Sequence, residues 1–74
     1  MAIEVIDAAG LKCPHPIFRI AIKSAEMKKG DILEVIGDCP TFESDVRLWC
    51  KKLNRVVLSV RDEKFSQKRI QIQF

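Results

Sequence analysis

Apolar and polar residues along the chain follow two alternating spacings, one typical of strands and the other of helices. Four segments have the length and apolar content of strands: residues 3–7, 32–36, 56–60 and 70–74. Two longer segments carry apolar residues at helical period: about Pro14 to Lys28, and Pro40 or Thr41 to Leu53. The pattern predicts the order βαβαββ in an α/β (α+β) two-layer sandwich, with both helices on one face of the sheet.

The predicted first helix has a continuous apolar stripe: Ile17, Phe18, Ala21, Ile22 and Ala25. The opposite side is charged: Arg19, Lys23 and Glu26. We therefore expect the stripe to be buried against the sheet. Ile20 and Met27 fall away from it, so we expect them to pack on a neighbouring helix or to form a docking patch for a partner.

The predicted second helix has the better-defined stripe: Phe42, Val46, Trp49, Cys50 and Leu53. Each predicted helix is followed by residues that favour helix termination. Lys28-Lys29-Gly30 places cations near the negative end of the first helix and offers a glycine for the left-handed conformation. Asn54 follows the second helix and also tolerates positive φ.

A cysteine followed by proline occurs in the turn after each of the first two strands. Cys13 precedes Pro14 and Cys39 precedes Pro40. Right-handed crossovers would make strands one, two and three parallel, so the two turns should emerge at the same edge of the sheet. Reactive groups in open α/β sheets gather at the carboxyl ends of strands, so we expect this edge to be the active surface.

Cys13 is the first candidate for chemistry. Pro14 suits the first helical position, which makes Cys13 the predicted N-cap. Pro16 has no N–H, so the His15 N–H is the only amide left to donate to the sulfur. The positive end of the helix dipole should lower the pKa of the thiol below about 8.5, which predicts a reactive, solvent-reachable thiolate.

The other two cysteines have different environments in the sequence. Cys39 is predicted to be a second thiol, or a small residue that caps the second helix. Cys50 lies inside the apolar stripe and is predicted to fill space in the core.

Three polar residues surround Cys13 in the sequence. His15 could stabilise a sulfur anion or act as a base, although a lone surface histidine is usually neither. Lys12 and Arg19 are candidates for tuning the thiol or docking a partner. The Cys-x-His spacing does not fit a zinc knuckle, so we predict no metal site.

Composition narrows the class of protein. The chain has 74 residues, 47% of them hydrophobic, which predicts one small domain over residues 1–74. The net charge of +3 is spread along the chain, so nucleic-acid binding is possible but not favoured. An odd count of 3 cysteines, no apolar run long enough to cross a membrane and no leader pattern predict free thiols in the cytoplasm.

Three segments taken together resemble the TusA/SirA/YedF family of small sulfur-carrier proteins: residues 10–16 (Gly-Leu-Lys-Cys-Pro-His-Pro), residues 29–35 and residues 38–40. The resemblance implies a mixed four-stranded sheet and a persulfide on Cys13. It also implies a sulfur donor such as a cysteine desulfurase or rhodanese, a downstream acceptor protein and no cofactor. Asp38-Cys39-Pro40 is similar to YedF-like members, whereas tRNA-thiolation members commonly have Asp-Asp-Pro. Asn54 stands where glycine is common.

Two other functions fit the same residues. The chain could be a binding module for RNA or a regulatory protein, with Cys13 only a cap. It could also be a redox switch in which Cys13 and Cys39 form a disulfide, which requires α-carbons within about 7 Å.

Overall fold

The computed structural model describes residues 3–12, 15–64 and 66–74. Its elements follow the predicted order: β1 Ile3–Asp7, α1 His15–Ser24, β2 Ile32–Gly37, α2 Phe42–Lys52, β3 Val56–Asp62 and β4 Lys68–Gln73. Neither helix in these ranges is long and apolar enough to cross a lipid bilayer.

The four strands form one mixed sheet in the order β1-β2-β4-β3. β1 and β2 are parallel, whereas β4 is antiparallel to both β2 and β3. Strands β1, β2 and β3 therefore run in the same direction, as right-handed crossovers predict. The carboxyl ends of β1 and β2 consequently lie side by side at one edge of the sheet.

One face of the sheet and both helices share the core. Alternate side chains of β2 and β4 are buried on this face: Leu33, Val35, Ile70 and Ile72. The helices add further buried side chains: Ile20 from α1, and Phe42, Val46 and Cys50 from α2. This arrangement confirms the two-layer sandwich and the interior position predicted for the second strand.

The prediction of the buried face of α1 is wrong. Ile20 is completely buried, and Met27 packs against the core, whereas Phe18 and Ile22 are 57% and 69% exposed. Ile17, Ile20 and Met27 also follow helical spacing, so the sequence offers two apolar stripes on the same helix. Packing against the sheet selects the second stripe, which periodicity alone could not do.

The predicted end of α1 is also wrong, because the helix ends at Ser24 and not at Lys28. The Ser24 hydroxyl donates to the Ala21 carbonyl at 2.7 Å, and such bonds compete with helix continuation. Gly30 does adopt a left-handed φ of 93°, but it belongs to the turn that enters β2. The Lys28 N–H donates to the Asp31 carboxylate in this turn at 2.9 Å.

The end of α2 is as predicted at Asn54, which has a φ of 57°. The Asn54 and Arg55 N–H groups donate back to the carbonyls of Lys51 and Cys50 at 3.4 and 2.8 Å, which is the Schellman pattern. Leu53 is 50% exposed at the cap, so its predicted place in the buried stripe is wrong.

Candidate functional site

The two loops at the carboxyl ends of β1 and β2 are tied together by one residue pair. The Gly10 N–H donates to both carboxylate oxygens of Asp38, at 3.0 and 3.1 Å. Just before this contact, the Ala8 N–H donates to the Ile36 carbonyl at 2.7 Å. A hydrogen bond to an ionised acceptor is stronger than one between neutral groups, so the pair fixes the spacing of the two loops.

Gly10 can make this contact because of its backbone conformation. Its φ is 86°, which residues with a Cβ rarely adopt. A short turn precedes it, in which the Asp7 carboxylate accepts the Ala9 N–H at 3.1 Å. The Leu11 N–H then donates to the Ala8 carbonyl at 3.2 Å.

Both loops line an open cavity of about 490 Å³. Its walls come from the two turns that the sequence assigns to one edge of the sheet: Gly10, Leu11 and Lys12 from the first, and Asp38, Cys39, Pro40 and Thr41 from the second. The prediction that these two turns meet is therefore confirmed.

The chain on either side of the Cys13-Pro14 pair is accessible at Lys12 and His15. Cys13 and Pro14 themselves lie outside the described residues, so the N-cap and first-turn predictions for them stay predictions. Lys12 and His15 are exposed, and the His15 ring lies 6.0 Å from the ring of Phe18.

The His15 amide, which the sequence leaves available to the Cys13 sulfur, donates to the Lys12 carbonyl at 2.8 Å. This hydrogen bond to the carbonyl three residues earlier closes a tight turn at the start of the helix, so the His15 amide has a partner within its own loop. Pro16 is buried in the first turn of α1, where its missing N–H costs no helical hydrogen bond.

Cys39 does not cap α2, which corrects one of its two predicted roles. Thr41 is the N-cap residue, and the Cys39 carbonyl accepts the Phe42 N–H at 3.0 Å. The Cys39 sulfur lies 3.5 Å from the Thr41 hydroxyl. Cys39 is disulfide-bonded, so the expectation of free thiols is wrong for this residue. Cys13 lies outside the described residues, so the α-carbon distance required for a Cys13–Cys39 disulfide stays a prediction.

Cys50 is buried, with 2% of its surface exposed, as predicted for a residue that fills the core. Burial raises the pKa of its thiol, because the apolar surroundings disfavour the thiolate. Cys50 is therefore a poor nucleophile and a useful internal control.

Arg19 lies away from the cavity between the two loops. It is exposed and lines a separate depression with Ile6, Ile22, Lys23 and Glu26. Within the described ranges, no three side chains of His, Cys, Asp or Glu are grouped as metal ligands.

Two residues of the site were missed as functional positions in the sequence. Asp38 ties the loops, and Thr41 donates its hydroxyl hydrogen to the Asp45 carboxylate at 3.0 Å. Asp38 directly follows β2, at the edge of the sheet where the carboxyl ends of the parallel strands lie. A carboxylate at this position in the sequence could have indicated a functional residue.

We expect Asp38→Ala to free the first loop from the second. Hydrogen exchange at the Gly10 amide should become faster, and the free energy of unfolding should fall by about 1 kcal/mol, because one charge-assisted hydrogen bond is lost at a partly exposed site. NMR-detected exchange and urea unfolding measure the two effects. Asp62→Ala, on the edge strand β3 and separated from β2 by β4, is the control and should leave the Gly10 amide unchanged. Equal hydrogen-exchange rates of the Gly10 amide in both variants would show that the Gly10–Asp38 hydrogen bonds do not hold the two loops together.

Comparison with known proteins gives consistent matches. The family model described as "Sulfurtransferase TusA" matches residues 4–73. Relatives named "Putative sulfur carrier protein" match the chain. Among them are proteins from Aquifex aeolicus (34% identical over 81% of this chain), Archaeoglobus fulgidus (40% over 68%) and, with YedF added to the name, Escherichia coli K12 (31% over 78%).

The aligned regions cover different shares of these relatives. They span 30% of the Aquifex protein, 65% of the Archaeoglobus protein and 75% of YedF. The family match itself extends over nearly all of this chain and includes both loops of the cavity. The chain therefore belongs to the TusA/YedF family of sulfur carrier proteins.

Proposed function

We propose that this protein accepts a sulfane sulfur on Cys13 as a persulfide and passes it to an acceptor protein. The observation that carries the proposal is the Gly10–Asp38 tie, which holds the loop preceding Cys13 against the loop of Cys39 around an open cavity. Family membership supports the same chemistry.

The transfer needs no added oxidant. The Cys13 thiolate attacks the outer sulfur of a persulfide on the donor protein, the donor's S–S bond breaks, and the donor cysteine leaves as a thiolate. Cys13 then holds a persulfide of its own. Delivery repeats the exchange, with an acceptor thiolate attacking the outer sulfur and Cys13 leaving as thiolate.

The charges near position 13 favour the anions in this sequence. Lys12 is exposed directly before Cys13 in the chain, and His15 follows two positions later at the start of α1. A cation and a helix N-terminus both stabilise a thiolate or persulfide anion. Histidine at this place tunes the anion without acting as an obligatory base, because the attacking group is already ionised.

A carrier must admit two protein thiols in turn, so access matters more than enclosure. The open cavity and the exposed Lys12 and His15 provide that access. The donor would be of the cysteine desulfurase or rhodanese class, and the acceptor a further sulfur-transfer protein. Arg19, exposed on α1, would contact the docked partner, and a reducing compartment such as the cytoplasm would keep Cys13 reactive.

Sulfur loading tests the proposal directly. The full chain is reduced, freed of reductant and incubated with a cysteine desulfurase and cysteine, then analysed by intact mass and peptide mapping. We expect one added sulfur atom that reductant removes, on the peptide containing Cys13 and not on that of buried Cys50. Loading confined to Cys39 would reassign the carrier, and no loading with an active desulfurase would contradict the proposal.

A redox-gated form of this function is the second candidate, favoured by the disulfide at Cys39. If Cys39 pairs with Cys13, a dithiol reductant must open the bond before sulfur can be accepted. The unreduced protein should then fail to load, whereas Cys39→Ser should load without prior reduction. Equal loading of reduced and unreduced wild-type protein would exclude the gate.

A further inference from the structure

A second cavity, of about 480 Å³, lies at the opposite end of the sheet from the loops of Cys39 and Gly10. Three segments line it: Met27, Lys28 and Lys29 before β2, Asn54, Arg55 and Val56 at the start of β3, and Gln73 and Phe74 at the end of β4. Its volume falls within the range of about 300–1,000 Å³ usual for small-ligand sites.

The side chains that line this cavity include three cations and, among the described residues, no acidic side chain. Lys28, Lys29 and Arg55 come from two different loops, and the fold brings them together. Ion pairs between described residues use other cations: Lys23, Arg47, Lys68 and Arg69. Two acidic residues flank the lysine pair in the chain, and neither lines the cavity: Glu26 pairs with Lys23, and Asp31 accepts the Lys28 N–H.

The two lysines are not explained as helix-ending cations. α1 ends at Ser24, and a helix dipole acts only within about the last turn, so Lys28 and Lys29 lie beyond its reach. Both side chains are exposed. Two adjacent cations at the mouth of a cavity are suited to a phosphate group.

Arg55 supplies a flat surface beside these lysines. Its guanidinium carbon lies 5.0 Å from the centre of the Phe74 ring. Trp49 packs against the same ring in an edge-on arrangement, with 6.3 Å between the two ring centroids. Because Arg55 is exposed, its other face is open to a planar ligand. Nucleobases stack on arginine planes and aromatic rings in this way.

Asn54 adds an amide side chain to the lining. It can donate and accept hydrogen bonds, and it is engaged in none within the part of the chain that the structure describes. Gln73 also lines the cavity, but Ile72 before it is buried in the core, so alternation along β4 directs the Gln73 side chain to the other face of the sheet. The Asn54 amide can pair with the polar edge of a base.

We propose that this cavity binds a nucleotide unit, with the phosphate on Lys28 and Lys29 and the base on the open face of Arg55. The shared chemistry fits a free nucleotide or one residue of a single-stranded RNA. An acidic peptide would satisfy the lysines but leave the Arg55 plane and the Asn54 amide unused. The site is independent of the sulfur chemistry at the other end of the sheet.

NMR titration of the isotope-labelled full chain tests the site with four probes: adenosine monophosphate, a short oligoadenylate RNA, inorganic phosphate and polyglutamate. We expect the first or second to shift the amides of Lys29, Asn54 and Arg55 in a saturable way. Saturation by the mononucleotide indicates a free nucleotide as ligand, and saturation by the RNA alone indicates a strand. No saturable shift with either, or equal affinity for phosphate or polyglutamate, would overturn the proposal.

Variants separate base stacking from simple charge. Lys28→Gln with Lys29→Gln should weaken binding about tenfold or more, because the phosphate loses its two cations. Arg55→Lys keeps the charge but removes the plane, and should also weaken nucleotide binding about tenfold. Lys64→Gln, an exposed cation on the β3–β4 loop, is the matched control and should leave affinity unchanged. If Lys64→Gln weakened nucleotide binding as much as the double variant does, binding would reflect general electrostatic attraction to the protein surface. That result would overturn the proposed site.

Discussion

Replacing Cys13 by serine is expected to abolish sulfur loading and relay while leaving the fold intact. Serine can cap a helix as well as cysteine can, so the start of α1 should persist. Its hydroxyl has no accessible anion near neutral pH and cannot form a persulfide. We therefore expect no added sulfur on intact-mass analysis after incubation with a desulfurase and cysteine, and no transfer to a thiol acceptor.

Matched cysteine variants make this result specific. After reduction, Cys39→Ser and Cys50→Ser should each still accept one sulfur atom, Cys50→Ser because its thiol is buried and its pKa is raised. Circular dichroism and urea unfolding of Cys13→Ser check that folding is unchanged. Relay at the wild-type rate by Cys13→Ser would remove the carrier function and favour a binding module in which Cys13 acts only as a cap.

The element order and the meeting of the two cysteine-bearing turns could be predicted because they depend on local pattern and handedness. Strand length, helical period and the right-handed crossover rule together place the ends of β1 and β2 at one edge. The Asn54 cap was equally local, since it depends on one residue that tolerates positive φ.

The connections across the site could not be derived from these patterns. The Asp38 carboxylate bonds an amide 28 positions away, a contact that exists only after the two crossovers have formed. Likewise, Lys28 and Arg55 are far apart in sequence, and only the sheet order brings their loops to one cavity. The charged residues are spread along the sequence, so the sequence alone does not show that Lys28, Lys29 and Arg55 lie close together in the fold.

The buried face of α1 was mistaken because a short helix with many apolar residues satisfies helical period in more than one way. Phe18 and Ile22 lie on one stripe and Ile20 on the other, whereas Ile17 borders both. Only contact with Leu33, Val35 and the rest of the core distinguishes them, and this contact buries Ile20 completely.

A pair of isoleucines on α1 tests this assignment. Ile20→Ala should lower the free energy of unfolding by about 2–5 kcal/mol, because it removes buried methyl and methylene groups and leaves a cavity in a packed core. Ile22→Ala should change it by no more than about 0.5 kcal/mol, because Ile22 is largely exposed and alanine is the better helix former. Urea unfolding of both variants measures the difference.

The comparison is informative because the two substitutions are chemically identical and lie two positions apart on one helix. Differences in helix propensity and in the unfolded chain therefore largely cancel, and the remaining gap reports burial at each position. In a domain of this size, a loss of several kcal/mol would consume much of the total stability, so Ile20→Ala should be partly unfolded near physiological temperature. A larger loss for Ile22→Ala than for Ile20→Ala would place the other stripe against the sheet, with Phe18 in the core.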